Sequence, residues 1–354
     1  MSIDLVWPGR RRFAAGIDVS PDAVRLAVVS RAGPAQAPVR VEWLGAVPLM
    51  PGIVSPERIA DRAALAAALS TLRSAWPRRR SRHRLPCAMA LPGSVTSIAS
   101  IALSGKEHRC DDAFDVALDR LEAAAVAEAE RVTGRTRHAL VVDWFVDVDD
   151  GAGEVTGRVQ ECHASDGVAG QNAALGAEAG AQSGGRRLSV AAAERRHLEA
   201  RIEAAAIAQL SVHVVDAEPP AALRALCHAA QRTHERGDRY AALWVGADGL
   251  YGWRVEGAVA RARLHCRADA LNDGPDALRE LAASGPIDWS IVAGELGRLG
   301  AMPLALADIG DLVGAPVVPF ACAPFCEGGA APERWQHAPE FAVAFGLALR
   351  GVAQ

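Results

Sequence analysis

Lysine is nearly absent. Lys106 stands alone among 38 basic residues in a chain of 354, in Ser104-Gly105-Lys106-Glu107 rather than a G-x-x-x-x-G-K-[ST] loop, so P-loop nucleotide hydrolysis is excluded. Schiff-base and pyridoxal-phosphate chemistry need a desolvated lysine, which the polar, charged setting of Lys106 does not offer. The seven cysteines are odd in number and contain no C-x-x-C pair, a usage that fits a reducing compartment rather than a disulfide framework. No apolar run approaches the ~20 residues of a membrane helix. The longest candidate, residues 313–325, is broken by Pro316, Pro319 and Pro324. No export signal is expected either, because Asp4 and Pro8 interrupt the opening segment and Arg10 to Arg12 follow it. H-E-x-x-H, G-x-S-x-G and paired histidines are missing, so hydrolase chemistry has no residue support. A net charge of −4 creates no demand for nucleic acid.

Half of the residues are apolar and 23% charged, a globular balance whose length points to two or three compact units. Residues 13–20 form an apolar run, Ser20-Pro21-Asp22 a turn, and residues 23–30 and 39–47 two further strands. A helix is expected over 56–75 from the spacing of Leu65, Leu69, Leu72 and Trp76. The basic run Arg78 to Arg84 and a strand over 85–91 follow. Residues 94–103 and 139–147 read as strands around a helix over 111–132. Periodicity then collapses over 149–187, whose centre, about 166–186, is expected to be a flexible loop. Next come a short strand over 188–192, a helix over 194–208, a strand over 212–215 and a helix reaching about residue 232. The opening pattern then recurs: residues 240–265 again read strand, glycine-rich turn, strand, turn, strand. A short helix over 278–283, a strand over 289–293 and an apolar helix over 340–350 complete the chain.

Gly16-Ile17-Asp18-Val19-Ser20, with Val24-Arg25 downstream, looks like the first phosphate loop of the actin, Hsp70 and sugar-kinase superfamily. Three further stretches are more selective: Met89-Ala-Leu-Pro-Gly-Ser94, then Val215-Asp-Ala-Glu-Pro219 running into Ala222-Leu-Arg-Ala225, then Ala338-Pro-Glu-Phe-Ala-Val-Ala-Phe-Gly-Leu-Ala-Leu-Arg350. In this order they resemble the PilM family of type IV pilus and competence assembly proteins, from about residue 15 to 350 with 149–187 unaligned. The resemblance implies an α/β, actin-like, two-lobed fold with an α+β subdomain inserted in the first lobe. It implies a cytoplasmic protein, peripheral to the inner membrane through its partner, that binds the N-terminal peptide of a PilN-like single-pass membrane protein. It also raises Mg-ATP between the lobes, and self-association. Mapped on this chain, lobe one covers 1–94 plus 210–236, the insertion 95–209, and a shortened lobe two 237–354.

In that superfamily two glycine-rich hairpins cradle the phosphates through backbone N–H groups while carboxylates orient metal-bound water. If the site is retained here, its residues are Gly16, Asp18, Ser20, Gly246, Asp248 and Gly294. Several departures argue for a degenerate site. Pro21 removes one N–H donor. Aligning Gly246 places Trp244 where a second acid belongs and Leu250 where a Thr or Ser belongs. Glu295 follows Gly294 and brings bulk and negative charge toward a polyphosphate. Only about 25 residues separate the third strand of lobe two from Gly294, where relatives carry several helices.

Asp18 is therefore either a carboxylate capping its own turn or a residual metal-side acid. Asp216 and Glu218, which precede Pro219 and Pro220, serve as helix-entry charges or as an acid/base pair. Cys322, Cys326 and His337 supply three of the four ligands a structural zinc site needs, and buried thiols are the competing assignment. Arg78 to Arg84 is a solvated loop or a contact for anionic lipid headgroups. The expected function is a pseudo-ATPase scaffold with no catalytic or metal-ligating residue, its partner peptide lying beside the insertion near Ser94, Val95, Ile98, Asp216 and Glu218. The alternative is a functional actin-like ATPase in which Asp18 and Asp248 hold magnesium.

Overall fold

Ser20-Pro21-Asp22 folds the chain back on itself because Pro21 pre-sets the turn and Ser20 closes it. The Ser20 N–H donates to Ala23 C=O at 3.0 Å, and Ala23 N–H donates to Ser20 Oγ at 3.3 Å. The flanking strands are β1 (Arg11–Val19) and β2 (Ala23–Ala32), followed antiparallel by β3 (Val39–Pro48). The computed structural model describes residues 11–33, 37–76, 85–103, 114–148, 159–161, 186–232, 238–257, 259–268, 273–301, 304–326, 335 and 338–353.

The first helix, α1 (Arg62–Ala75), starts later than its periodicity predicts, since Asp61 Oδ1 accepts the Ala64 N–H at 2.9 Å and caps it there. The residues before it instead form a turn closed by the Val54–Ile59 bridge. Strands β4 (Cys87–Leu91) and β9 (Val212–Ala217) add parallel to β1, giving a five-stranded sheet in the order β3-β2-β1-β4-β9.

Between β4 and β9 the chain builds a three-stranded antiparallel sheet of order β5-β8-β6 from β5 (Thr96–Ala102), β6 (Leu140–Val148) and β8 (Arg186–Glu194). Helix α2 (Phe114–Thr133) covers one face, where Leu140, Leu188 and Val190 pack on Ala125 and Ala129. Helix α3 (Arg195–Ile207) follows. The proposed insertion, 95–209, includes α3, yet Ala200, Ala204 and Ala205 join the core of the first sheet beside Leu65 and Leu69 of α1.

The second half repeats the first. Strands β10 (Arg239–Val245), β11 (Gly249–Glu256) and β12 (Val259–Arg267) are antiparallel, while β13 (Trp289–Gly294) and β14 (Val317–Pro319) continue in parallel from β10. The sheet order β14-β13-β10-β11-β12 is the plan of the first sheet over again: three antiparallel strands in sequence, then two parallel strands on the far side of the first. Helices α5 (Gly274–Ala283) and α6 (Leu306–Val313) cover its outer face. A strand not expected from sequence, β7 (Val159–Glu161), lies in the 149–187 stretch without periodicity, just before the expected flexible loop, and pairs parallel with β12. Most of that loop, with Lys106, Arg78 to Arg84 and His337, lies outside the described residues.

Helices α4 (Glu218–Ala230) and α7 (Ala342–Ala353) are packed between the two sheets. One contiguous core runs from Ala14 and Val29, through Ala221, Leu226, Phe345 and Leu347, to Tyr240, Trp244 and Trp289. The last helix of the expected second lobe, 237–354, thus packs against the first sheet as well as the second, because the small face of α7 fits against Gly16. A Cβ on Gly16 would lie 1.9 Å from the Ala344 carbonyl oxygen.

Candidate functional site

The antiparallel register places Arg25 directly across from Asp18 at the end of the first hairpin. Both are buried, at 7% and 4% exposure. Arg25 Nη1 donates to Ser20 Oγ at 3.0 Å and lies 3.4 Å from Asp18 Oδ2, while Nη2 donates to Glu295 Oε1 at 3.0 Å. Glu295 follows β13 in the other sheet, so one guanidinium joins carboxylates from both halves of the molecule. On the rim Arg298 pairs with Glu295 and, at 2.6 Å, with Asp22 of the first turn. Burial pushes the Glu295 carboxyl up, but Arg25, Ser20 and Arg298 outweigh it and hold the group below its ordinary value. Asp18 goes the other way: burial raises it to about 6, and Arg25 only partly offsets that.

Glu218 opens α4 within the same region and is 5% exposed. Burial, followed by the charges of Asp18 and Asp248, raises it well above the usual carboxylate range, against the opposing pull of Arg201. Arg201 is fully enclosed and spends hydrogen bonds on Ala90 C=O (3.0 Å) and His197 C=O (3.3 Å).

The second hairpin turns at Gly246-Ala247-Asp248. Asp248 Oδ2 accepts the Ser94 N–H at 2.7 Å and the Tyr251 hydroxyl at 2.9 Å, a second tie between the halves. Asp248 Oδ1 is buried without a partner. Gly93 permits this approach, since a Cβ there would meet the Tyr251 hydroxyl at 2.2 Å. Trp244 folds its ring over Gly246, where an added Cβ would come within 2.6 Å of Cη2, and stacks obliquely on Tyr251 at 5.1 Å. Tyr251 in turn stacks on His265 at 4.2 Å.

The residues read from sequence thus divide. Asp18, Ser20, Asp248 and Glu218 do converge on the cleft. Gly16 does not face it; that position is glycine because α7 presses against it. Gly294 adopts φ +97° and lies against the Val245 carbonyl, which accepts the Glu295 N–H at 2.9 Å. Asp216 pairs with Arg224 (3.0 Å) and Arg350 (2.8 Å), which fasten α4 and α7 to β9. Ser94 has its N–H committed to Asp248, and Val95 sits beside it in a short 3₁₀ turn. Of the proposed partner-binding residues, Ile98 is the large apolar side chain left open, 55% exposed. It projects from the face of the three-stranded sheet opposite α2, the same face as Phe145, which is 60% exposed. Among the described residues no His, Cys, Asp and Glu group is arranged to hold a metal ion.

Sequence reading placed Arg25 in the first motif without a role, and missed Arg201, Tyr251 and Arg298. Arg25 was within reach: a turn centred on Pro21-Asp22 pairs position 18 with position 25. Arg201 and Arg298 are distant in sequence and carry no local signal.

Mg-ATP, the group raised by the resemblance, fits these residues poorly. In the first turn Pro21 has no N–H, and those of Ser20 and Ala23 are bonded within the turn. Trp244 covers the second glycine turn, Arg25 is committed to carboxylates, and Glu295 adds negative charge where phosphate would lie.

No family model matches the chain, and no curated protein sequence matches it. Among solved structures it is similar to a chain of the "PilM-PilN type IV pilus biogenesis complex", with TM-score 0.63 and 21% identity over 96% of this chain and 98% of that one. Weaker likenesses include the cytoplasmic domain of EpsL, an inner-membrane component of the type II secretion system of Vibrio cholerae (TM-score 0.43, 12% identity, 96% and 95% covered). Another is a Bacteroides thetaiotaomicron protein with an actin-like ATPase fold (0.41, 8%, 90% and 94%). The duplicated sheet plan and the first of these likenesses show a fold of two sheets built on one plan, shared with that chain of the PilM-PilN complex over nearly its whole length. Among the described residues no helix is long and apolar enough to cross a membrane.

Proposed function

We propose that this chain is a PilM-type scaffold at the cytoplasmic face of a type IV pilus assembly platform, or of a related competence or secretion platform. It binds the cytoplasmic N-terminal peptide of a PilN-like single-pass membrane protein and works without nucleotide. The observation that carries the reading is the fold shared, over nearly the whole of both chains, with a subunit of a PilM–PilN complex. The commitment of the cleft's charged groups to one another supports the nucleotide-independent part.

The peptide has a surface suited to it. Among the described residues β5 is an edge strand, paired with β8 alone, and its outer backbone groups suit an added strand. Ile98 and Phe145 stand exposed on the adjoining face. The chain then reaches the membrane through its partner. The test is calorimetric titration with a synthetic peptide covering the cytoplasmic N-terminus of the single-pass protein encoded beside this chain. Saturable binding is expected, weakened at least about tenfold by Ile98→Asp, because a carboxylate replaces buried apolar contact. Absence of binding would overturn the reading.

One arrangement favours a second reading as an ATPase. Asp18, Glu218 and Asp248 converge, and Asp248 Oδ1 lacks a partner. Measurable ATP turnover abolished by Asp18→Ala, with peptide binding intact, would establish it.

A further inference from the structure

We propose that Arg25 is a built-in replacement for the bound nucleotide: its guanidinium, held between Asp18 of one lobe and Glu295 of the other, keeps the mouth of the cleft closed at all times. This rests on the reading of the cleft as nucleotide-free and adds to it a cause for closure.

Asp18, Asp248 and Glu295 approach one another across the two sheets, around a Glu218 that burial holds toward its neutral form. Two lobes that each present acidic groups to a shared cleft repel unless a cation lies between them. Arg25 is the cation positioned to do this for Asp18 and Glu295, at 3.4 and 3.0 Å with 9% side-chain exposure. The geometry is directional as well as electrostatic. Nη1 serves Ser20 and Asp18 on its own hairpin while Nη2 serves Glu295 on the other lobe, so the planar fork spans the gap that a metal with its phosphates would otherwise bridge.

The surroundings hold the fork in place. Ser20 is fixed by its own turn, and Glu295 is fixed by its N–H bond to Val245 C=O and by Arg298. Arg298 reaches back to Asp22, so the rim repeats the pattern with the signs of the two lobes exchanged: a cation of the second lobe meets a carboxylate of the first. Hinge motion about the α4–α7 core would have to break both pairs together. The buried pair resists most, because parting it costs a charge-assisted hydrogen bond made in a desolvated site, even though Arg25 keeps Asp18 and Glu295 keeps Arg298 on their own lobes. The lobes are therefore closed as the chain folds, and a partner meets one fixed surface rather than a surface gated by ligand.

Hydrogen exchange of the full-length protein, followed by mass spectrometry with and without Mg-ATP, tests this. Glu295→Gln and Arg25→Gln are each expected to raise exchange about 100-fold or more in both the 19–24 turn and residues 296–301, with the central α7 amides unchanged. The double variant is expected to be no worse than the poorer single one, since the two residues act as one pair. Should Arg25→Gln fail to fold, Arg298→Gln, which removes the half-exposed rim pair, is expected to give a smaller rise in the same two segments. Exchange in either segment unaffected by Glu295→Gln, or strictly additive effects, would overturn the lock while leaving the nucleotide-free reading standing. Protection of the wild-type turn by Mg-ATP would instead overturn that reading, and the lock with it.

Discussion

Replacing Gly16 by alanine separates two explanations for that residue. As a phosphate-loop glycine it would be needed for ligand approach, and the apoprotein would tolerate Ala. As the packing site of the last helix it has no room for a methyl group. An added Cβ falls 1.9 Å from Ala344 O, 2.7 Å from Ala348 N and 2.7 Å from Leu347 Cβ, two of these being backbone atoms that no rotamer change can move. To reach ordinary contact α7 must retreat by about 1.5 Å, and it cannot retreat freely. On its other side Gly346 is pressed to the Ala221 carbonyl, with a would-be Cβ only 1.8 Å away. Retreat from β1 also opens gaps around Phe345 and Leu347, both wholly buried, and a gap of this size forfeits a good part of each dispersion contact. Overpacking usually costs 1–3 kcal/mol and occasionally more, and a backbone clash on a sandwiched helix belongs at the upper end, about 3–4 kcal/mol. With an unfolding entropy of roughly 2 cal/mol/K per residue, that lowers Tm by about 4–5 °C. Differential scanning calorimetry measures it. Gly297→Ala is the control, since nothing lies within 4 Å of its Cβ position. A Tm for Gly16→Ala equal to that control would refute the packing argument.

Three further outcomes follow from the same structure. Asp18 titrates at about 6 when folded against 3.8 as a free group, burial being the main cause, so the folded state holds its proton more tightly. Its contribution to stability is therefore greatest below pH 4 and is lost as pH rises to 6. The stability of wild type relative to Asp18→Asn is expected to fall across that window by on the order of 3 kcal/mol, measured by urea unfolding; a difference independent of pH would refute this. His228 stacks on Phe325 at 5.3 Å and is depressed to about 4, chiefly by burial and then by Arg31 and Arg232. The sign is opposite: its contribution is complete above pH 6.5 and lost toward pH 4, and His228→Phe should flatten that part of the profile. Asp248→Ala leaves the Ser94 N–H and the Tyr251 hydroxyl without their acceptor and is expected to cost about 1–3 kcal/mol by the same unfolding assay, whereas Asp248→Asn, which retains an acceptor oxygen, is expected to cost less.

The two sheets were legible because each begins with three strands adjacent in sequence, where alternation and turn residues act locally. The parallel additions were harder. Strand β14 is three residues long and α6 eight, too short for periodicity to declare them between prolines and glycines. Strand β7 lies in a segment without pattern and exists by pairing with β12, a contact no local rule encodes. The packing of α7 was illegible for the same reason: proximity in sequence puts it with 237–354, while Gly16 and Gly351 fit it against β1 and Gly346 fits it against α4. At the cleft the chemical types of Asp18, Glu218 and Asp248 could be read, but not that Arg25 and Glu295 would meet across 270 residues. Trp244 and Glu295 were recognisable as misfits for a phosphate site, and the structure supplies what sequence could not: the groups they contact instead.

The central claim, that side chains fill the role a nucleotide would take, is tested most directly by isothermal titration of the purified wild-type protein with Mg-ATP at millimolar concentration. No binding heat beyond dilution is expected, because admitting a triphosphate means parting Arg25 from Glu295 and lifting Trp244 from Gly246. Saturable binding at micromolar affinity would contradict it, and would mean that the Arg25 fork opens for ligand rather than standing in its place.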